Sequence, residues 1–496
     1  MNHKHLFTYI ILLGLGLGSA CSLQEQDALP LHQLPPLLPD ILGVTLPRNI
    51  APLRFQLPDS CGLSDIQAVF YASDQKQIVW HRSGEIAIAI DDWQKLIQGQ
   101  DSILVKVQGK KAGQWVEYDA FPLYLSNDSI DPYLSYRLIE PGYEVWGKMG
   151  IYQRQLASYD ESPILENTST QGGCMNCHTY RQHDPDQMLF HLRAQCGGTY
   201  VLNHGTVEKL NTKTAQTLSA LVYPAWHPSG RYVAFSTNLT KQAFHSTDRN
   251  RIEVFDTNSD VVIYDVENHQ IFSNPALKSE NAFETFPSFS PDGRTLYFCS
   301  ADSVNVMQHY DSVHYSLCRV SFDADAHAGQ QIGTQVDTLY NARLSGGSVS
   351  FPRVSPNGDF LVFTLSGYGN FSIWHKDADL YCLRLSDSTI TPLSLLNTPD
   401  VESFHSWSSN GRWLVFSSRR ENGLYTRPYI THIDANGVAT KPFPLPQSDL
   451  RHDARLMKSY NLPEFMKGPV SLPSNFADQA ANDAGIDITF QENCNN

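Results

Sequence analysis

A single turn signature, repeated four times, restricts this chain more than anything else in it. The copies are Trp226-His227-Pro228-Ser229-Gly230-Arg231, Phe289-Ser290-Pro291-Asp292-Gly293-Arg294, Val354-Ser355-Pro356-Asn357-Gly358-Asp359 and Trp407-Ser408-Ser409-Asn410-Gly411-Arg412. Their third positions are spaced 63, 65 and 53 residues apart. Pro presets φ, Asp or Asn caps the turn, and Gly supplies the positive φ that closes it. An apolar strand precedes each turn and an alternating strand follows, so each copy is a β-hairpin. Further strands fall later in each period, at 261–265, 316–321, 379–385 and 429–434. Four strands per period make one propeller blade. The period exceeds the usual length of about 40–50 residues, which predicts insertions at 238–258 and 301–314.

These repeats resemble TolB-like, WD40-like β-propeller repeats of bacterial envelope proteins. Gly198 to Lys209 reads as a degenerate fifth blade, and flanking segments allow a sixth. The expectation is an all-β chain with a five- or six-bladed propeller over 196–470 and a polar, frayed tail over 471–496. Ahead of it, residues 46–140 alternate in short runs, such as Ile66–Tyr71 and Ile103–Val107, which predicts a β-sandwich.

The N-terminus gives an address. Lys4 lies in a short basic start, Leu6 to Leu17 is apolar, and Gly18-Ser19-Ala20 precedes Cys21. That order predicts a signal peptide over 1–20 and resembles a lipobox, with Cys21 as the lipidated residue. Ser22 resembles the sorting position of outer-membrane lipoproteins. Residues 21–45, rich in Leu and Pro, read as a tether. The predicted location is the bacterial envelope, with an outer-membrane lipoprotein facing the periplasm or the cell surface. A net charge of −15 speaks against a nucleic-acid partner.

Cys174-Met175-Asn176-Cys177-His178 is C-x-x-C-H, the attachment signature of c-type haem. Two thiols at that spacing suit the two vinyl groups on one porphyrin edge, with His178 beneath the iron. Zinc would need a second ligand pair, which no other C-x-x-C supplies. A thioredoxin-like dithiol would need a βαβ frame. The expected cofactor is haem c, with Cys174, Cys177 and His178 binding it in a segment over 141–195. His191 and Met188 are the leading candidates for the sixth iron ligand, with Met149 and His183 behind them. Tyr143, Trp146, Tyr152 and Tyr180 are expected to wall the haem.

The whole chain resembles TolB-like propeller lipoproteins of Bacteroidetes type. The resemblance rests on Asn49–Leu53, Cys174–His178, Met188–Arg193 and Ser459–Phe465. It implies a cytochrome-like envelope protein in which haem carries electrons and the propeller docks a redox or scaffold partner. One alternative is a propeller binding module for an envelope protein or glycan, with the cysteine motif structural. Another is a haem enzyme such as a peroxidase, which needs an open iron position. No G-x-S-x-G hydrolase elbow occurs. Asp256-Thr257-Asn258-Ser259-Asp260 has calcium-loop spacing but lacks the Gly and distal Glu, and reads as an Asx-rich turn. Of nine cysteines, one anchor and two haem positions leave six, among which Cys299 and Cys318 fall on adjacent predicted strands as a plausible disulfide.

Overall fold

The computed structural model describes residues 24–491 except 74, 82–83, 143–146 and 328. The signal peptide, Cys21, Ser22, Tyr143, Trp146 and Cys494 lie outside the described residues. Among those described, no helix is long and apolar enough to cross a membrane.

Six four-stranded antiparallel sheets follow one another as blades of a closed propeller. Blade 1 takes its second to fourth strands from Tyr133–Ile139, Gly150–Gln155 and Glu161–Glu166, and its inner strand from Ser459–Met466. That inner strand closes the ring, because it pairs with Tyr133–Ile139 across more than 300 residues of sequence. Blades 2 to 6 run 175–211, 222–272, 282–340, 348–392 and 402–444. The expected choice between five and six blades resolves to six. Gly198–Asn203 is the third strand of blade 2, with Thr206–Asn211 as its fourth. Residues 141–195, read from sequence as a separate segment, contain strands of blades 1 and 2.

The repeated turns join inner to second strands and lie together on what we call the lower face. Gly230, Gly293, Gly358 and Gly411 all have positive φ, between 66° and 78°. In three copies the leading Ser hydroxyl bonds the Asp or Asn of the turn and accepts the N–H five residues on, as in Ser290 with Asp292 and Thr295. Turns also interlock between blades. A Cβ on Gly293 would lie 2.2 Å from His227 Nε2 of the preceding blade.

The predicted insertion at 238–258 is not a loop. It extends one hairpin, Tyr232–Phe244 with Ile252–Asp265, beyond the blade on the upper face. The calcium-like run 256–260 therefore lies within a strand rather than a turn. Asp256 accepts from Asn238, Thr240 and Asn370, and Asp260 pairs with Lys278 at 3.2 Å.

Two terminal expectations change. Leu37, Ile41, Val44 and Leu46 are buried in a core cluster, and Thr45–Pro47 pairs with a strand at 124–126. A leucine-rich stretch that can bury this much apolar surface packs instead of standing off as a tether. The tail as described, to residue 491, likewise is not frayed. Helix Phe476–Asn482 buries Phe476 against Phe190 and Tyr200, and the chain then adds short parallel strands to the outer edges of blades 2 and 3.

Residues 64–126 with the two N-terminal edge strands build one seven-stranded sheet. A two-stranded ribbon, Phe55–Gln56 with Glu85–Ile86, and helix Ile90–Ile97 complete this region. Its core runs without a break into Trp413, Phe443 and Phe465 of blades 6 and 1. Asp128 fastens the junction, accepting from Arg412 at 3.1 Å and from His432 at 2.7 Å.

Cys299 and Cys318 do lie on neighbouring strands, but the register sets Phe298 opposite Cys318 and Cys299 opposite Leu317. The two side chains belong to clusters on opposite faces of the blade. That geometry cannot close a disulfide, and both are free thiols.

Candidate binding cleft between blades 2 and 3

Every inner strand carries the same irregularity. Each pairing register slips by one residue, and at each slip a non-glycine residue takes a left-handed conformation. These residues are Cys177, Tyr223, Phe286, Phe351, Phe404 and Leu462, with φ between 49° and 54°. A left-handed non-glycine residue costs about 1 kcal/mol, and here the strain recurs six times. It turns side chains toward the propeller axis. Phe286 and Phe351 meet at 4.1 Å between ring centroids, Tyr223 and Phe286 at 4.5 Å, and Phe351 and Phe404 at 4.9 Å.

The residue after each slip is Pro in four blades and His in two, at His178 and His405. An aromatic or apolar residue follows two positions later, as in Tyr223-Pro224-Ala225-Trp226 and Leu462-Pro463-Glu464-Phe465. Cys177-His178-Thr179-Tyr180 is the blade 2 version of this tetrapeptide. The internal repeat could have been read from sequence, but the better-known C-x-x-C-H spacing overlies it.

The motif residues take different neighbours. Cys177, 8% exposed, lies beside the Tyr223 backbone. Cys174 packs at the edge of the cluster between blades 1 and 2. His178, 2% exposed, sits 6.0 Å from the Tyr180 ring on that same side. Burial, with Arg137 adding repulsion, drives His178 down to about 3, so its ring is neutral. Neither ring nitrogen has a partner among the described residues.

The predicted axial ligands are also divided. Met188 belongs to the cluster between blades 1 and 2, as do Met149 and Tyr180, with Tyr152 packed at the margin of the N-terminal core. His191 lies on the other face of blade 2, 6.2 Å from Phe235 of blade 3. His183 sits in the lower turn and bonds the Phe465 carbonyl at 3.0 Å. Among the described residues, no three His, Cys, Asp or Glu side chains gather as a metal would require. A c-type haem needs both sulfurs on one porphyrin edge and His178 under the iron. The bulge sets Cys177 beside blade 3 and leaves Cys174 and His178 on the blade 1 side, and the haem reading rests on the sequence motif alone.

The space beside the motif is a cleft of about 610 Å³ on the upper face, between blades 2 and 3. Asn176 lines it, while Cys174, Cys177 and His178 do not. Its walls mix amide and hydroxyl side chains, such as Asn176, Thr199 and Asn238, with apolar ones, such as Leu192 and Val222; Arg193 and Lys213 are the cations, Tyr223 also lines it, and no Asp or Glu does. His191 joins the wall. Its Nδ1 bonds Thr199 Oγ1 at 2.7 Å, and its Nε2 has no partner among the described residues. Burial first, then Arg193, pushes His191 down to about 3. Just behind the lining, Arg137 of blade 1 donates to the Met175 carbonyl at 3.3 Å. A second, smaller cleft of about 350 Å³ opens on the same face near Trp374 and Arg251, and two of its cations, Arg249 and Lys376, are paired with Asp377 and Asp400.

The fold is thus that of a six-bladed β-propeller. Similar solved structures include prolyl oligopeptidase B from Galerina marginata, at 12% identity over 63% of this chain and 42% of that one, with a TM-score of 0.36. Another is dipeptidyl peptidase 4 from Porphyromonas gingivalis, at 12% identity over 72% of this chain and 60% of that one, with a TM-score of 0.28. The chain therefore spans about half the length of these proteins. No known family profile matches it, and no curated protein does.

Proposed function

We propose that this chain is a propeller binding module whose ligand enters the cleft between blades 2 and 3. The observation that carries this reading is the cleft itself, a cavity of about 610 Å³ with mixed polar and apolar walls on the upper face of a closed ring. Its volume falls within the range of about 300–1,000 Å³ usual for small-ligand sites. In this reading Cys177 and His178 serve the inner-strand repeat, and electron transfer is not the task of the fold. Envelope placement rests on the N-terminal sequence alone, and a lipid anchor there would hold the module at a membrane surface.

The test is a thermal-shift screen of neutral and charged glycans and peptides on wild type and Ala220→Trp. Ala220 is an exposed lining residue, and Trp would fill the cleft. A ligand that stabilises wild type and not the variant supports the reading. Equal stabilisation of both proteins would move the site elsewhere.

A further inference from the structure

Resting on that reading, we propose that the cleft takes a carboxylated sugar, of the uronic-acid class, within a glycan chain. Three features of the lining call for three properties of the ligand. Arg193 and Lys213 line the cleft with no ion-pair partner among the described residues, in a chain of net charge −15. Two exposed cations in a wall without Asp or Glu favour an anionic ligand over a neutral or cationic one.

The second feature is an acceptor without a donor. Asn238 is 7% exposed and lines the cleft. Its amide nitrogen donates to Asp256 Oδ2 at 2.6 Å, which fixes the orientation of the amide. Its Oδ1 then has no donor among the described residues. A free carboxylate or a phosphodiester offers acceptors only and cannot satisfy it. A sugar hydroxyl can, since it both donates and accepts.

The third feature is His191, 5% exposed, with Nδ1 held by Thr199 and Nε2 unpartnered. A buried polar atom of this kind takes its partner from water or from a ligand, and a sugar hydroxyl suits it in either tautomer. A ligand carrying hydroxyls and one carboxylate meets all three demands. An acidic peptide brings the charge without the density of hydroxyls.

The experiment is isothermal titration of the full chain with tetragalacturonate, maltotetraose and tetraglutamate. Tetragalacturonate is expected to bind. Arg193→Ala with Lys213→Ala should weaken it at least tenfold, and raising salt should weaken it in wild type. Both side chains are exposed, so circular dichroism should show the double variant folded. Binding of maltotetraose equally well, abolished by Ala220→Trp, would overturn the carboxylate requirement and leave the binding module standing. Equal binding of tetraglutamate would overturn the sugar. Binding of none of the three would overturn this proposal, while a hit from the wider screen would still support the module.

Discussion

His178 and His191 stand on opposite faces of the same blade, one 6.0 Å from Tyr180 and the other 6.2 Å from Phe235. A cofactor held by one cannot reach the other without passing through the sheet. The pairing suggested by their spacing in sequence is therefore broken by the one-residue slip at Cys177, which takes His178 off the face that Asn176 shares with His191.

The first prediction follows from that separation. The purified full chain should give no covalent haem signal on a denaturing gel and no pyridine haemochrome. Cys177→Leu, which installs the residue type found at Leu462, should fold with a melting temperature near that of wild type. A covalent haem lost on Cys177→Ala would refute this reading of the motif.

The interlocked lower turns predict two unequal glycine substitutions. Gly293→Ala meets both a φ of 74° and His227 Nε2 at 2.2 Å, and should cost about 3 kcal/mol. Gly358→Ala meets a φ of 77° and nothing within 4 Å, and should cost about 1 kcal/mol. Urea unfolding of the two variants measures the difference, and equal losses would discount the contact.

Glu464 predicts a pH dependence. Burial pushes its carboxyl up to about 7, against the pull of Arg353 and a hydrogen bond from Thr179. Between the ordinary carboxyl range and pH 7, the native state binds a proton that the unfolded chain releases. Its contribution to stability therefore falls as pH rises across that window and is level above it. Glu464→Gln should be more stable than wild type at pH 8 and indistinguishable from it at pH 4. Denaturation at the two pH values reads the sign.

The C-terminal strap predicts a local effect. Phe476→Ala removes a ring packed on Phe190 and Tyr200, and should cost about 3–4 kcal/mol. Lys209 Nζ donates to the Ala480 and Asp483 carbonyls, so blade 2 should respond most. Hydrogen exchange should rise in 187–211 before it rises in blade 5. Uniform exchange across all blades would argue against a strap.

The sequence by itself determined the propeller. The turn chemistry of Ser290-Pro291-Asp292-Gly293 and its relatives is local, and a local signal repeated in register specifies hairpins wherever the chain runs. It also carried the inner-strand tetrapeptide, visible in Phe286-Pro287-Ser288-Phe289 once one knows to look. Tertiary structure decided what local signals cannot encode. Ring closure by Ser459–Met466, the strap at Phe476 and the burial of Ile41 and Val44 all depend on partners far away in sequence. The candidate site belongs to this second kind. Asn176, His191, Arg193, Lys213 and Asn238 have no shared motif, and they meet only because adjacent blades of a closed ring bring the upper ends of their strands together.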